Sequence, residues 1–222
     1  KRKPVTPAGA ITGIGSLPFV SLSPAIDAVS EFSPEVPFWP QLPRFSDRES
    51  IIGQALTILG DLIGPRQGAY GYQVKEGRID AVLELLHRSS GELTSANAAG
   101  FGTFEESFQR GRFSSAMAVK GQIEGPITLS AYLFHRGKPF LSDPALFGAI
   151  GFHVSQTICW QINRLRLTGL PVLLFVDEPA LCLEVSSDSA VTEEQRLSAL
   201  AAELDDARTC GAYAGLQCCA AR

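Results

Sequence analysis

Pro171-Val172-Leu173-Leu174-Phe175-Val176, followed at once by Asp177-Glu178-Pro179, carries the clearest strand signal in the chain. The run is apolar throughout and shows no alternation with polar residues. That pattern predicts a strand buried on both faces, which is the situation of strands in a parallel sheet covered by helices. The run then breaks into two carboxylates and a proline, a polar tip on an apolar segment.

Working outward, the flanks supply the crossovers that parallel strands require. On the N-terminal side, residues 142–169 predict a long helix, with Ser142 as the cap and Gly169 as the stop. On the C-terminal side, Thr192-Glu193-Glu194-Gln195 is a capping box opening a helix that closes at Gly211. Residues 212–216 then predict a strand running into Gln217-Cys218-Cys219.

Further upstream, residues 115–123 predict a strand leading into Glu124-Gly125-Pro126-Ile127-Thr128, and residues 93–96 a weaker one. Between them Phe101, Phe104, Phe108 and Phe113 are read as an aromatic loop, with Phe104 and Phe108 at the spacing of one helix face and so expected to pack together. Ile79, Val82, Leu83 and Leu86 form one helical face, and Ile51, Ile52, Ala55, Leu56, Leu59 and Ile63 another, capped by Ser46 or Asp47. Residues 64–78, with several glycines, Tyr70 and Tyr72, are read as a loop. Residues 36–42 predict a short second strand. Ser23 and Pro24 open the first helix, after a first strand at residues 10–14 that ends in Gly15-Ser16-Leu17-Pro18. About six strands alternate with helices, which is an α/β plan.

Composition narrows the functions. Apolar residues make up 45% and charged residues 19% of 222 residues, with a net charge of -4. No basic run points to nucleic acid or an anionic membrane, and Lys1, Arg2 and Lys3 are read as a solvated start. No apolar run reaches the length of about 18 residues needed for a membrane span, and no secretory signal pattern is present. The five cysteines are odd in number and suggest no disulfide framework, so a reducing, cytoplasmic setting is expected. Gly13-Ile14-Gly15 fails as a dinucleotide loop because Pro18 occupies the third glycine position, so no nucleotide cofactor is expected.

In parallel α/β folds the C-terminal strand ends share one mouth, where ligands bind. The polar residues there are Gly15-Ser16, Gln41 with Arg44, Glu124, Asp177-Glu178 and Gln217-Cys218-Cys219. Successive strand residues point to opposite faces, so only one of Asp177 and Glu178, and one of Cys218 and Cys219, should face the mouth. Asp177 could hold a substrate ammonium, or instead cap a turn. A thiolate from the cysteine pair could ligate zinc or act as a nucleophile, or be a small buried apolar group. His135 is expected at a helix end and His153 within the long helix, neither with a chemical role.

Ile14-Gly15-Ser16-Leu17-Pro18, Val119-Lys120-Gly121 with Gly125-Pro126-Ile127-Thr128, Val176-Asp177-Glu178-Pro179-Ala180, and Gln217-Cys218-Cys219 occur in an order that resembles the catalytic domain of cobalamin-independent methionine synthase. More broadly they resemble the superfamily that includes uroporphyrinogen decarboxylase and corrinoid-dependent methyltransferases. The resemblance implies a (β/α)8 TIM-barrel-like fold over a single domain, residues 1–222, with about six of the eight βα units present and the C-terminus incomplete. It implies methyl transfer to a small thiol or amino acid such as homocysteine, from a donor that a corrinoid protein could present. It places the substrate carboxylate at Ile14, Gly15 and Ser16, another substrate contact at Gln41, and the substrate amino group at Asp177.

Cys219 matches one zinc ligand of that family. Gln217 stands where its partner is a histidine, and glutamine is a poor zinc ligand. Gln41 likewise stands where the family has an acidic residue. The remaining ligands belong to strands beyond Arg222. Two other readings follow from these departures. One is a decarboxylase-like or corrinoid-linked barrel without zinc, with Arg44, Arg110 and Arg112 as carboxylate partners. The other is a non-catalytic barrel that self-associates through exposed strand edges.

Overall fold

The computed structural model describes residue 6, residues 9–182 and residues 189–218. In chain order the elements are α1 (Leu22–Phe32), α2 (Ile51–Leu56), β1 (Ile63–Pro65), β2 (Tyr72–Val74), α3 (Ile79–His87), α4 (Ala99–Gln109), β3 (Val119–Glu124), α5 (Pro126–Tyr132), β4 (Leu133–His135), β5 (Lys138–Pro139), α6 (Pro144–Leu165), β6 (Val172–Asp177), α7 (Glu193–Thr209) and β7 (Tyr213–Gln217). Short 3-10 turns flank several of them.

Three of the strands form a parallel sheet in the order β3-β6-β7, with Glu124, Asp177 and Gln217 level with one another at the C-terminal ends. Two isolated parallel bridges, Phe38 to Lys120 and Ser16 to Gln41, carry the pairing outward from β3. They are supported by Lys120 N–H on the Pro37 carbonyl at 2.9 Å and by Gln41 N–H on the Gly15 carbonyl at 3.0 Å. Close approach along this side needs glycine: a Cβ on Gly13 would lie 2.3 Å from the Phe38 ring, and one on Gly15 2.6 Å from the Gln122 side chain.

The long helix α6 covers one face of the sheet. Asp143 caps it, its Oδ1 accepting from Ala145 N at 2.8 Å, and Pro144 opens it. Val154, Ile158, Ile162 and Leu165 are fully buried beneath it. A Cβ on Gly121 would come within 2.9 Å of the Leu165 side chain, so α6 side chains pack directly on the β3 backbone there. The Thr192–Gln195 capping box holds the start of α7 reciprocally, with bonds of 3.2 and 2.8 Å.

Several expectations need correction. The chain is α/β, but the sheet does not close into a barrel. Among the described residues seven strands divide into this parallel sheet and a mixed sheet in the order β1-β2-β4-β5. A barrel needs every strand paired on both sides. Here β7 is an edge strand, and the strands of the mixed sheet are two or three residues long and belong to hairpins beside the parallel sheet. The count of six βα units fails as well: residues 10–14 and 93–96 form no strand, and residues 36–42 contribute only bridges.

Other differences are local. Residues 63–74 contain the β1–β2 hairpin, whose three-residue strands are too short to show alternation. The stretch from Phe101 to Phe108 is helical (α4), where Phe104, Phe108 and Phe113 form a ring cluster with centroids 4.8–5.2 Å apart. Ser21 and Asp143, rather than Ser23 and Ser142, occupy the caps of α1 and α6. His135 lies in β4, and His153 is buried, its nitrogens 2.6 Å from Ser89 Oγ and 2.7 Å from the Ala55 carbonyl. Cys159 and Cys210 form a disulfide joining α6 to the end of α7, contrary to the expectation of reduced thiols. No helix among the described residues is long and apolar enough to cross a membrane.

Candidate functional site

Alternation along β3 puts Lys120, Gln122 and Glu124 on the face away from α6, while Gly121 faces Leu165 and Gln161. Level partners on parallel strands share a face, which adds Phe175 and Asp177 of β6. The Lys120 ammonium lies 5.1 Å from the Phe175 ring centroid, in keeping with that assignment. A polar face inside a sheet this well buried is unusual: Lys120 is 3% exposed, Gln122 0%, Glu124 1% and Asp177 2%.

The members differ in how they are satisfied. Lys120 Nζ donates to the Ile14 carbonyl at 2.6 Å and to Gln122 Oε1 at 3.3 Å. Gln122 Nε2 donates to the Trp39 carbonyl, and Trp39 Nε1 to Gln161 Oε1, so the amides are locked in a network through the sheet. Both oxygens of Asp177 and Oε1 of Glu124 are buried without a hydrogen-bond partner. Buried carboxylate oxygens are almost always paired, and these three have no partner among the described protein groups.

Electrostatics follow from burial. Desolvation, with the Glu178 and Asp177 charges nearby, pushes Glu124 up to about 9, so it holds a proton at neutral pH. Desolvation raises Asp177 to about 7, against the pull of Lys120. Desolvation lowers Lys120 to about 8, against the pull of Asp177.

Glu178 points elsewhere. Its carboxylate accepts from Ile127 N at 2.9 Å, Thr128 N at 2.8 Å and Thr128 Oγ1 at 2.6 Å, and so caps the N-terminus of α5. Gly125 is required beneath it, because a Cβ there would lie 2.2 Å from Glu178 Oε1. Asp177 and Glu178 therefore divide between the sheet face and a helix cap.

The remaining expected residues are placed as follows. Ser16 and Ile14 are exposed, at the same end of the sheet as Asp177. Two segments stand between Ser16 and Asp177, three strand spacings or roughly 14 Å along the sheet. The Ile14 carbonyl nevertheless reaches the polar face through Lys120. Gln41 is fully buried and turned toward α2: Nε2 donates to Gln54 Oε1 at 2.9 Å, and its Oε1 has no partner. Gln217 is level with Asp177, its backbone carbonyl accepting from Glu178 N at 2.9 Å. Cys218 is a free thiol, and Cys219 lies outside the described residues.

Arg44 donates to the Pro18 carbonyl, Arg110 pairs with Glu106 and Arg112 with Asp27, so the three do not gather around one anion site. Among the described residues no three His, Cys, Asp or Glu side chains are grouped to hold a metal ion. A cavity of about 320 Å³ lies beside α2 and β1, lined by Asp47, Arg48, Thr57, Asp61 and Tyr72, and shares no residue with the polar face.

Lys120 and Gln122 carry no chemical role expected from the sequence, although Lys120, Gln122 and Glu124 recur every second residue in and just after the strand predicted over residues 115–123. That alternation of polar residues was the available signal. No family model, no curated protein and no solved structure matches the chain.

Proposed function

We propose that the chain is a methyl-transfer enzyme, or a catalytic part of one, of the kind its motifs resemble, cobalamin-independent methionine synthase. Its substrate is a small amino-bearing thiol such as homocysteine, held at the C-terminal ends of the parallel strands. The observation that carries this reading is the Asp177 carboxylate, buried at a strand end with both oxygens unpartnered. A buried anion in that condition is costly, and a ligand ammonium relieves the cost with charge-assisted hydrogen bonds. Uptake of that ammonium draws Asp177 into its ionised form.

The chain's own part is to bind and orient. Asp177 fixes the amino end, and Lys120 with the Ile14 carbonyl marks the other side of the face. The thiol proton leaves to solvent, and the sulfur forms its bond to the methyl carbon as the bond from that carbon to the methyl donor breaks, the donor keeping the electron pair. No step is assigned to a metal: Cys219 lies outside the described residues, and among the described residues no three His, Cys, Asp or Glu side chains are grouped to hold one.

A cytoplasmic location belongs to the same proposal, and the Cys159–Cys210 disulfide is the observation against it. Self-association also belongs to it, and light scattering tests that point.

The main test is calorimetry with L-homocysteine. The folded protein should bind it, and D177N should bind it at least tenfold more weakly, about 1.4 kcal/mol. Equal binding by wild type and D177N, or none by a folded wild type, overturns the proposal.

A further inference from the structure

We infer that Lys120 receives the carboxylate of a zwitterionic amino-acid substrate whose ammonium goes to Asp177, so that two buried charges form the ends of one clamp. This rests on the proposal that Asp177 holds a substrate ammonium, and it adds a residue that sets substrate class.

Lys120 and Asp177 lie on one face of adjacent strands, 3% and 2% exposed. Each feels the other's charge, yet neither Asp177 oxygen has a hydrogen-bond partner. A buried cation and a buried anion that fail to touch both bear their desolvation without the direct contact that would offset it. An ammonium has three donors, and the Ile14 carbonyl and Gln122 Oε1 account for two. The third is open for an acceptor. A molecule bearing both charges completes the two ends together, and an α-amino acid is the smallest common one.

Selectivity follows from the third carboxyl group on the face. Glu124, level with Asp177, holds its proton at neutral pH and adds no second full negative charge. With Lys120 and Asp177 both charged, the face is then close to neutral and matches a zwitterion better than a simple cation. The side chains beside the clamp are less completely covered than the clamp itself. Leu173 and Phe175 are partly exposed, and Ile14, whose carbonyl braces Lys120, is 57% exposed.

The test compares L-homocysteine with its methyl ester, which keeps the ammonium and thiol but has no carboxylate charge. Calorimetry is run on wild type, K120M, K120Q, K120R and D177N, each checked for folding by circular dichroism. Wild type should prefer the acid by about tenfold or more, the worth of one hydrogen bond to a charged group. K120M should bind acid and ester alike, and K120R should keep the preference. Should K120M fail to fold, K120Q carries the same comparison. D177N should weaken both ligands equally. A folded K120M or K120Q that keeps the full preference overturns the role of Lys120 and leaves Asp177 standing. Undiminished binding of both ligands by D177N, or no binding by wild type, overturns Asp177 and the clamp together.

Discussion

Glu124 and Asp177 stand level on two adjacent parallel strands, both carboxyl groups buried, with three of their four oxygens lacking a hydrogen-bond partner. Like charges at that spacing cannot both ionise cheaply. The pair therefore divides the work: Glu124 keeps its proton, and Asp177, eased by Lys120, titrates near neutrality.

Stability should fall from pH 5 to pH 8. Burial raises Glu124 from 4.5 to about 9, Asp177 from 3.8 to about 7, and Glu178 and Glu203 from 4.5 to about 7 and about 9. A raised carboxyl group binds its proton more firmly folded than unfolded. Its contribution is complete below the unfolded value and is lost as pH climbs through the folded value. Lys120, lowered from 10.5 to about 8, acts oppositely, adding stability as pH rises between those two values. Urea midpoints should accordingly be higher at pH 5 than at pH 8. E124Q, which mimics the protonated group, should gain about 1 kcal/mol or more at pH 8 and little at pH 5. A wild-type midpoint that rises over this interval contradicts the assignment.

Homocysteine affinity should pass through a maximum between pH 7 and 8. Asp177 must lose its proton near 7 to hold an ammonium, and Lys120 loses its charge near 8. Calorimetry at half-unit intervals reads the profile. A flat profile from pH 6 to 9 excludes these two groups as the contacts.

Glu178 should prove structural. E178A removes acceptors from Ile127 N, Thr128 N and Thr128 Oγ1, at a cost of about 2–4 kcal/mol in urea unfolding. G125A should also destabilise, because its Cβ would meet the Glu178 carboxylate. Wild-type stability in E178A would show that the cap is dispensable.

Reduction should loosen the α6–α7 side. The Cys159–Cys210 bridge spans 51 residues, and removing it should cost about 2–4 kcal/mol. Thermal melts with and without reductant measure this. Alkylation of the oxidised protein should label Cys182 and Cys218 and spare Cys159 and Cys210.

The helices capped by strong local signals were legible in advance because a cap is a contact between residues three apart. Thr192 with Gln195 is the clearest case. The three strands of the parallel sheet are legible as β-prone segments that end in polar tips, β6 most clearly because its run is apolar throughout, although Leu173 and Phe175 of β6 and all of β7 are only partly buried or exposed. Residues 10–14 form no strand, and the only bridge next to them is made by Ser16, because pairing partners are not written in a segment's own residues. The spacing of Phe104 and Phe108 marks their contact in α4, but the packing of Phe113 from beyond the helix onto both rings is a tertiary outcome.

The chain by itself determined that polar groups end the strands at one side, and that Asp177 and Glu178 could not share a direction, because alternation and handedness are local properties of the backbone. Only the tertiary structure decided that Glu178 turns to the start of α5 while Asp177 joins Lys120 and Glu124, and that the sheet stays open. Those outcomes depend on which segments become neighbours, and burial between distant segments, not any short run of residues, sets both the protonation of the carboxyl groups and the charge left for a ligand.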